Sequence, residues 1–270
     1  MSVDEEGCTA LFRAAYLNDF AKVQELLELA KRIGILEALV DKTDNEGDTP
    51  LAGASYRGHT QIVKLLLDNK STIDKVARMD WTPLMNATLN RKSATVSLLV
   101  YYNADVNFAN RYGSSALHIA SEQGNLEIVK ILVSAGAKID QKSILGYTSL
   151  HTAAQCNRHE VVDYMLKQPI AKSIINDQSY PYGHTPLTIA VLFAGDLEMV
   201  KLLVSRGSDT TIKSGEKGKT LKEWAKEKDK NDIVEYINLY CDEVDSFGLI
   251  TFKLITPKLK YPKWYENYPK

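Results

Sequence analysis

The chain has 270 residues, with 33 Lys+Arg against 34 Asp+Glu for a formal charge of -1, and is 44% hydrophobic and 25% charged. This is ordinary globular composition, which excludes a disordered polymer, a collagen and a strongly basic nucleic-acid binder. The length suffices for a sizeable buried core.

The predicted elements follow one repeating unit. A Thr or Ser is followed five positions later by Ala at Thr9/Ala14, Thr49/Ala54, Thr82/Ala87, Ser115/Ala120, Thr148/Ala153, Thr185/Ala190 and Thr220/Ala225, which makes seven copies. Nine residues after each Ala stands Val23, Val63, Val96, Val129, Val162 or Val234; Val200 comes one place late because the sixth copy carries an extra residue near Gly195. Two residues before the Thr or Ser lies Gly7, Gly47, Gly113, Gly146, Gly183 or Gly218, replaced once by Asp80. Copies two to five are 33 residues apart and the other steps are 40, 37 and 35, so insertions follow copies one, five and six.

Each copy reads as turn, helix, helix. Gly gives the turn its positive φ, Thr or Ser caps the first helix, and Pro50, Pro83 and Pro186 take the first helical position, where a missing N–H costs nothing. The repeat Ala lets a second helix approach, and that helix carries an apolar stripe such as Ile128, Val129, Leu132 and Val133. Gly58 and Gly124 separate the two helices of copies two and four. In the first copy, Lys31–Asp41 is an insertion expected to form an elongated second helix or a long loop. In the seventh, Lys222 replaces the usual Leu, as in a polar C-terminal cap. One hairpin cannot bury its own apolar face, so neighbours must stack, and the expected fold is an all-α solenoid of helix-turn-helix units with projecting turns.

The stretch Gly113-Ser-Ser-Ala-Leu-His-Ile-Ala120, continued by Gly124-Asn-Leu-Glu-Ile-Val-Lys-Ile-Leu-Val-Ser-Ala-Gly-Ala-Lys-Ile-Asp140, resembles an ankyrin repeat. The resemblance covers about residues 5–240. It divides the chain into an ankyrin-repeat domain, 1–243, whose first and last repeats act as caps, and a tail, 244–270. It implies a non-catalytic protein–protein interaction module, a scaffold or adaptor whose partner is another protein lying against the turn tips and the inner face of the first helices. By register those positions hold Tyr56 and Arg57; Arg78, Met79, Trp81 and Leu89; Arg111 and Tyr112; Ile144, Leu145 and Tyr147; and Tyr182, His184, Leu192 and Phe193. Aromatics, Met and Arg are what binding hot spots favour. Some of these side chains are equally open to folding back on neighbouring turns. The resemblance further implies that His118 and His151 tie helix starts to turns, that His59 has no role beyond its place after Gly58, and that Leu99 with Asp105-Val106-Asn107 fits a pattern for asparaginyl hydroxylation.

Residues that carry chemistry are scarce. His151, Cys156 and His159 invite zinc, but their spacing fits no common site. There is no P-loop, G-x-G-x-x-G or G-x-S-x-G sequence. No catalytic residue, cofactor or metal is therefore expected, although such repeats also serve as regulatory domains of larger enzymes or channels. Cys8, Cys156 and Cys241 form neither a disulfide framework nor a C-x-x-C pair, which points to a reducing intracellular compartment, cytoplasmic or nuclear. The acidic start lacks an export signal, no apolar run is long enough to span a membrane, and polar caps favour a monomer. In Phe247–Lys270, five lysines against Glu266 leave +4, interleaved with Phe252, Tyr261, Trp264, Tyr265 and Tyr268. Such a tail suits three roles: covering the open end of the solenoid, serving as a partner-binding arm, or docking on nucleic acid or an anionic membrane.

Overall fold

The computed structural model describes residues 8–241. Seven helix pairs follow one another: α1 (Ala10–Tyr16) with α2 (Phe20–Arg32), α4 (Pro50–Arg57) with α5 (Thr60–Asp68), and α6 (Pro83–Leu89) with α7 (Ser93–Tyr101). Then come α8 (Ala116–Gln123) with α9 (Leu126–Ser134), α10 (Ser149–Gln155) with α11 (His159–Met165), α13 (Pro186–Ile189) with α14 (Leu197–Ser205), and α15 (Leu221–Glu227) with α16 (Asn231–Tyr240). The first helices pack on one another as an inner layer and the second helices as an outer layer. The apolar core runs unbroken between the layers, through Leu11, Leu51, Leu84, Leu117, Leu150, Leu187 and Leu221.

The helix starts are built as the pattern predicts. Thr9, Thr49, Thr82, Thr185 and Thr220 each accept a backbone N–H three residues on, at 3.1 to 3.3 Å. All but Thr220 are buried, so a lost cap, ordinarily worth about 1 kcal/mol, also strands a buried amide. The first insertion takes the elongated form, with α2 running to Arg32, and in place of a long loop adds a one-turn helix, α3 (Leu36–Val40). The insertion after the fifth pair forms another short helix, α12 (Ala171–Ile174). The extra residue of the sixth repeat is absorbed by a π-helical turn, Ala190–Ala194, closed by the Gly195 N–H on the Ala190 carbonyl at 2.7 Å. A single inserted residue widens one turn and leaves the stack in register.

Neighbouring repeats are also tied by polar contacts. Asp41, Asp74, Asn107 and Asn176 each present a side-chain oxygen to a backbone N–H of the next repeat, that of Thr72, Asp105, Lys138 and Asp209 respectively. Long cations lie over the glycine junctions of the preceding repeat; Arg158 packs on Gly124 and its Nε donates to the Glu122 carbonyl at 2.8 Å, serving the end of α8.

The projecting turns are zipped edge to edge. Ile144 N–H donates to the Tyr112 carbonyl at 3.0 Å, Tyr180 N–H to Leu145 at 2.8 Å and Gly215 N–H to Tyr182 at 2.6 Å. So close an approach leaves no room for a side chain: a Cβ on Gly146 would sit 2.7 Å from Tyr180 N, and its φ of +70 is itself unfavourable for any other residue. The third repeat solves the turn differently, with Met79 and Asp80 both left-handed at φ 63 and 60. These two facts set opposite expectations. Gly146→Ala lowers stability by about 2 kcal/mol or more, while Asp80→Gly raises it by about 1 kcal/mol. Urea unfolding of both variants checks the pair, and a stable Gly146→Ala would disprove the steric account.

Candidate functional site

Between the zipped turns and the inner helices lies a groove. Its middle is a cavity of about 570 Å³ bounded on the turn side by Tyr112, Ile144, Leu145 and Tyr147, and on the helix side by Ile119, Glu122, Gln155 and Cys156. Along the rim the turn tips form an apolar row: Met79, Tyr112, Ile144 (66% exposed), Leu145 (57%), Tyr180 (73%) and Tyr182. Tyr112 reaches back along this row, its hydroxyl 3.8 Å from Met79 Sδ. A well-built solenoid has no folding reason to expose consecutive apolar tips, since their burial elsewhere would contribute roughly 25 cal/mol per Å².

The residues expected here divide into three groups. Exposed on the groove are Tyr56, Leu89, Tyr112, Ile144, Leu145, Tyr182 and Phe193, with Leu192 half-buried beside Phe193. Others are engaged in structure. Trp81 is half-buried against the core, and Tyr147 stacks on His151 with ring centroids 5.4 Å apart. His184 is held by Ser214 Oγ at 3.0 Å and by the edge of Trp224. Arg57 lies over the Tyr16 ring, and Arg111 Nε is 3.5 Å from Asp80. Met79 and Arg78 occupy the left-handed turn of the third repeat, with Met79 at its tip. Tyr180 was missed because the insertion after the fifth repeat leaves the next turn one residue longer, closed by the Ser179 N–H on the His184 carbonyl where Ser143 closes on Tyr147; the aromatic pair flanking Pro181 was the available signal.

His118 and His151 are buried beneath the groove and clasp consecutive repeats. His118 Nδ1 accepts the Ser115 N–H at 3.2 Å, so Nε2 carries the hydrogen and donates to the Tyr147 carbonyl at 3.0 Å. His151 repeats this with the Thr148 N–H at 3.2 Å and the His184 carbonyl at 3.1 Å. His59 makes a related link, its Nε2 lying 3.1 Å from the Tyr16 carbonyl. Burial holds both clasping imidazoles below their ordinary range, His151 at about 4, and their bonds to carbonyl groups offset only part of that. Cys156 faces the groove cavity, and burial raises its thiol pKa, which disfavours the reactive thiolate. Among the described residues no group of three or more His, Cys, Asp or Glu is placed to hold a metal ion. Asn107 serves the inter-repeat ladder, its Oδ1 accepting the Lys138 N–H at 2.8 Å and its Nδ2 donating to the Gly136 carbonyl at 3.2 Å. The tail, 244–270, lies outside the described residues.

Stacked helical hairpins whose turns project beside an inner helix layer define a repeat solenoid. The family model for ankyrin repeats matches three times, over residues 1–79, 72–143 and 140–214, and the chain belongs to the ankyrin-repeat family. Ankyrin repeats are protein–protein interaction modules. Among solved structures, the human ASB11 ankyrin repeat domain superposes with a TM-score of 0.72 at 22% identity, covering 86% of this chain and 97% of that one. The E3 ubiquitin-protein ligase MIB2 of Gallus gallus is 40% identical over 72 residues, 26% of this chain and 6% of that protein. The chain therefore spans only a small part of that relative. Among the described residues no helix is long and apolar enough to cross a membrane.

The clasping histidines set a pH dependence. An unfolded His titrates near 6.5 and His151 in the fold at about 4. The unfolded state therefore takes up the proton first, and stability present above pH 6.5 is lost as pH falls towards 4, by on the order of 3 kcal/mol for His151. Asp48 acts in the opposite sense. Burial, then Asp44 and Glu46, push its pKa up to about 6, so stability is gained as pH falls from 6 towards 4. His151→Gln should flatten the acid loss between pH 6.5 and 4, whereas Asp48→Asn should steepen it and stabilise the chain at pH 7. Chemical unfolding at stepped pH checks both signs.

Proposed function

We propose that the chain is a non-catalytic scaffold or adaptor, of the protein-binding kind its family implies, and that it holds its partner in the groove of repeats three to six. The observation that carries this is the continuous apolar row of turn tips from Met79 to Tyr182, of which Tyr112 to Tyr182 are joined by backbone bonds between turns. A rim that is already rigid loses little conformational entropy on binding, so a few anchors supply most of the affinity. Exposure favours Tyr112, Ile144, Leu145 and Phe193 as those anchors. Trp81 and Tyr147 support the rim from beneath, since both are half-buried. The left-handed Met79 and Asp80 add to the case, because backbone strain concentrates where a surface does work.

The test is affinity capture with the full chain beside a Tyr112→Ala/Leu145→Ala/Phe193→Ala variant, at low and raised salt. These side chains are exposed, so the variant should unfold at the same temperature as the parent. Each anchor lost should weaken the specific partner by about 2 kcal/mol, or about thirtyfold in Kd. Equal retention of a salt-resistant partner by both proteins would refute the groove assignment. Nucleic acid or an acidic protein held equally by both and released by salt would instead place binding on the basic tail.

A further inference from the structure

The groove changes character along its length. Its rim is apolar from the sixth repeat to the third, and at the first repeat it ends in a cavity of about 800 Å³. Phe12, Tyr16 and Leu17 wall this cavity on one side; Asp44, Glu46 and Asp48 line the other. Against these three carboxylates the lining contains one cation, Arg13, which leaves a charge of -2. Asp44 accepts the N–H groups of Glu46 and Asp48 at 2.9 Å each, so the carboxylates are held together by the turn itself. Burial first, and then this crowding, raise the Asp48 pKa, and an arriving cation would offset the crowding. The groove thus suits an extended segment that is apolar first and basic, with aromatic rings, at the end nearer the first repeat.

This chain contains such a segment in that order. Phe247–Ile255 reads Phe-Gly-Leu-Ile-Thr-Phe-Lys-Leu-Ile, and Lys258, Lys260 and Lys263 follow, interleaved with Tyr261 and Trp264. The direction agrees as well: α16 ends at Tyr240 in the seventh repeat, beside the apolar end of the row, and the apolar part of the tail precedes the basic part. Packed helices lie about 8–10 Å apart, so the sixth repeat is roughly 40–50 Å from the first. The seventeen residues from Phe247 to Lys263, fully extended, span about 53 Å.

We propose that the tail of this chain is a ligand of its own groove. In this arrangement Phe247–Ile255 lies along the apolar turn row, and Lys258, Lys260 and Lys263 enter the acidic, aromatic-walled cavity of the first repeat. The inference rests on the groove reading above and adds the identity of an occupant, which any outside partner has to displace. Attachment to the same chain gives the tail a millimolar effective concentration, so weak contacts suffice to hold it.

Site-specific photocrosslinking in the full chain tests this. Benzoylphenylalanine is placed singly at Leu145, Leu17, Leu239 or Tyr101, all well exposed, with Tyr101 on the outer layer as the control. The expected result is an intramolecular link from position 145 to residues 247–255 and from position 17 to residues 258–264. The yield should not depend on protein concentration, and Tyr101 should give no tail link. Lys258→Glu/Lys260→Glu/Lys263→Glu should abolish the link from position 17 and keep that from 145, as should raised salt. Tail links from Leu239 alone would show that the tail covers the end of the solenoid, and yields that rise with concentration would show a second copy in the groove; either overturns the proposal. If no tail link forms while partner capture still depends on Tyr112, Leu145 and Phe193, the tail inference fails alone. If both are lost, the groove reading fails with it.

Discussion

A helical hairpin with one apolar face cannot bury that face by itself, and the contact between successive hairpins is the interaction on which this structure depends. The leucine row from Leu11 to Leu221 supplies the apolar part of that contact. The polar part is as regular: carboxylates or amides offered to the next repeat's amides, cations laid over the previous repeat's glycine junctions, and two imidazoles that each hold their own helix start and the next repeat's turn. Because the contacts are between nearest neighbours, a defect at one interface is felt there first. The same contacts bring consecutive turns close enough to share backbone hydrogen bonds. A rigid rim is therefore a by-product of stacking.

That division explains which parts of the molecule the sequence discloses. Stacking imposes one requirement per repeat at fixed places, so Thr or Ser, Ala and Val recur and each can be read with its physical reason. Even the irregularity before Gly195 was visible as a late Val200, although its form, a π-helical turn, was not. His118 and His151 were legible as structural because they recur at the spacing of the repeat. The groove was legible only as a set of positions. Whether a side chain at a tip stands free or folds inward is decided by the neighbouring turn. Trp81 and Tyr147 share the same place before the cap Thr; one leans on the core and the other on His151. Tyr180 escaped notice because an insertion breaks the count on which the mapping relied.

Asn107 shows that one residue can fit two patterns. Its sequence neighbourhood fits a modification pattern, but in the fold it stands in line with Asp41, Asp74 and Asn176 and both ends of its amide are bonded to the next repeat. Position in the stack accounts for the bonds it makes. The apolar tips fail the same test. Nothing in the stacking of helices needs Ile144, Leu145 or Tyr180 to be apolar, and solvent exposure argues against it.

In the proposed groove, binding and stability fall largely to different atoms of the same turns. From the fourth repeat to the seventh the tip backbone joins the turns, while Ile144, Leu145 and Tyr180 stand exposed above it and Trp81, Tyr147 and His184 keep structural contacts. A solenoid of this kind can change what it binds by changing tip side chains and leaving every interface intact. The buried histidines mark where the separation ends. They lie directly under the cavity and donate from Nε2 to the carbonyl oxygens of Tyr147 and His184, while a proton added at Nδ1 takes away the acceptor for the Ser115 and Thr148 N–H groups at their own helix starts. The middle of the groove is consequently the place where acid, acting on two helix starts, comes nearest to the tips proposed to bind.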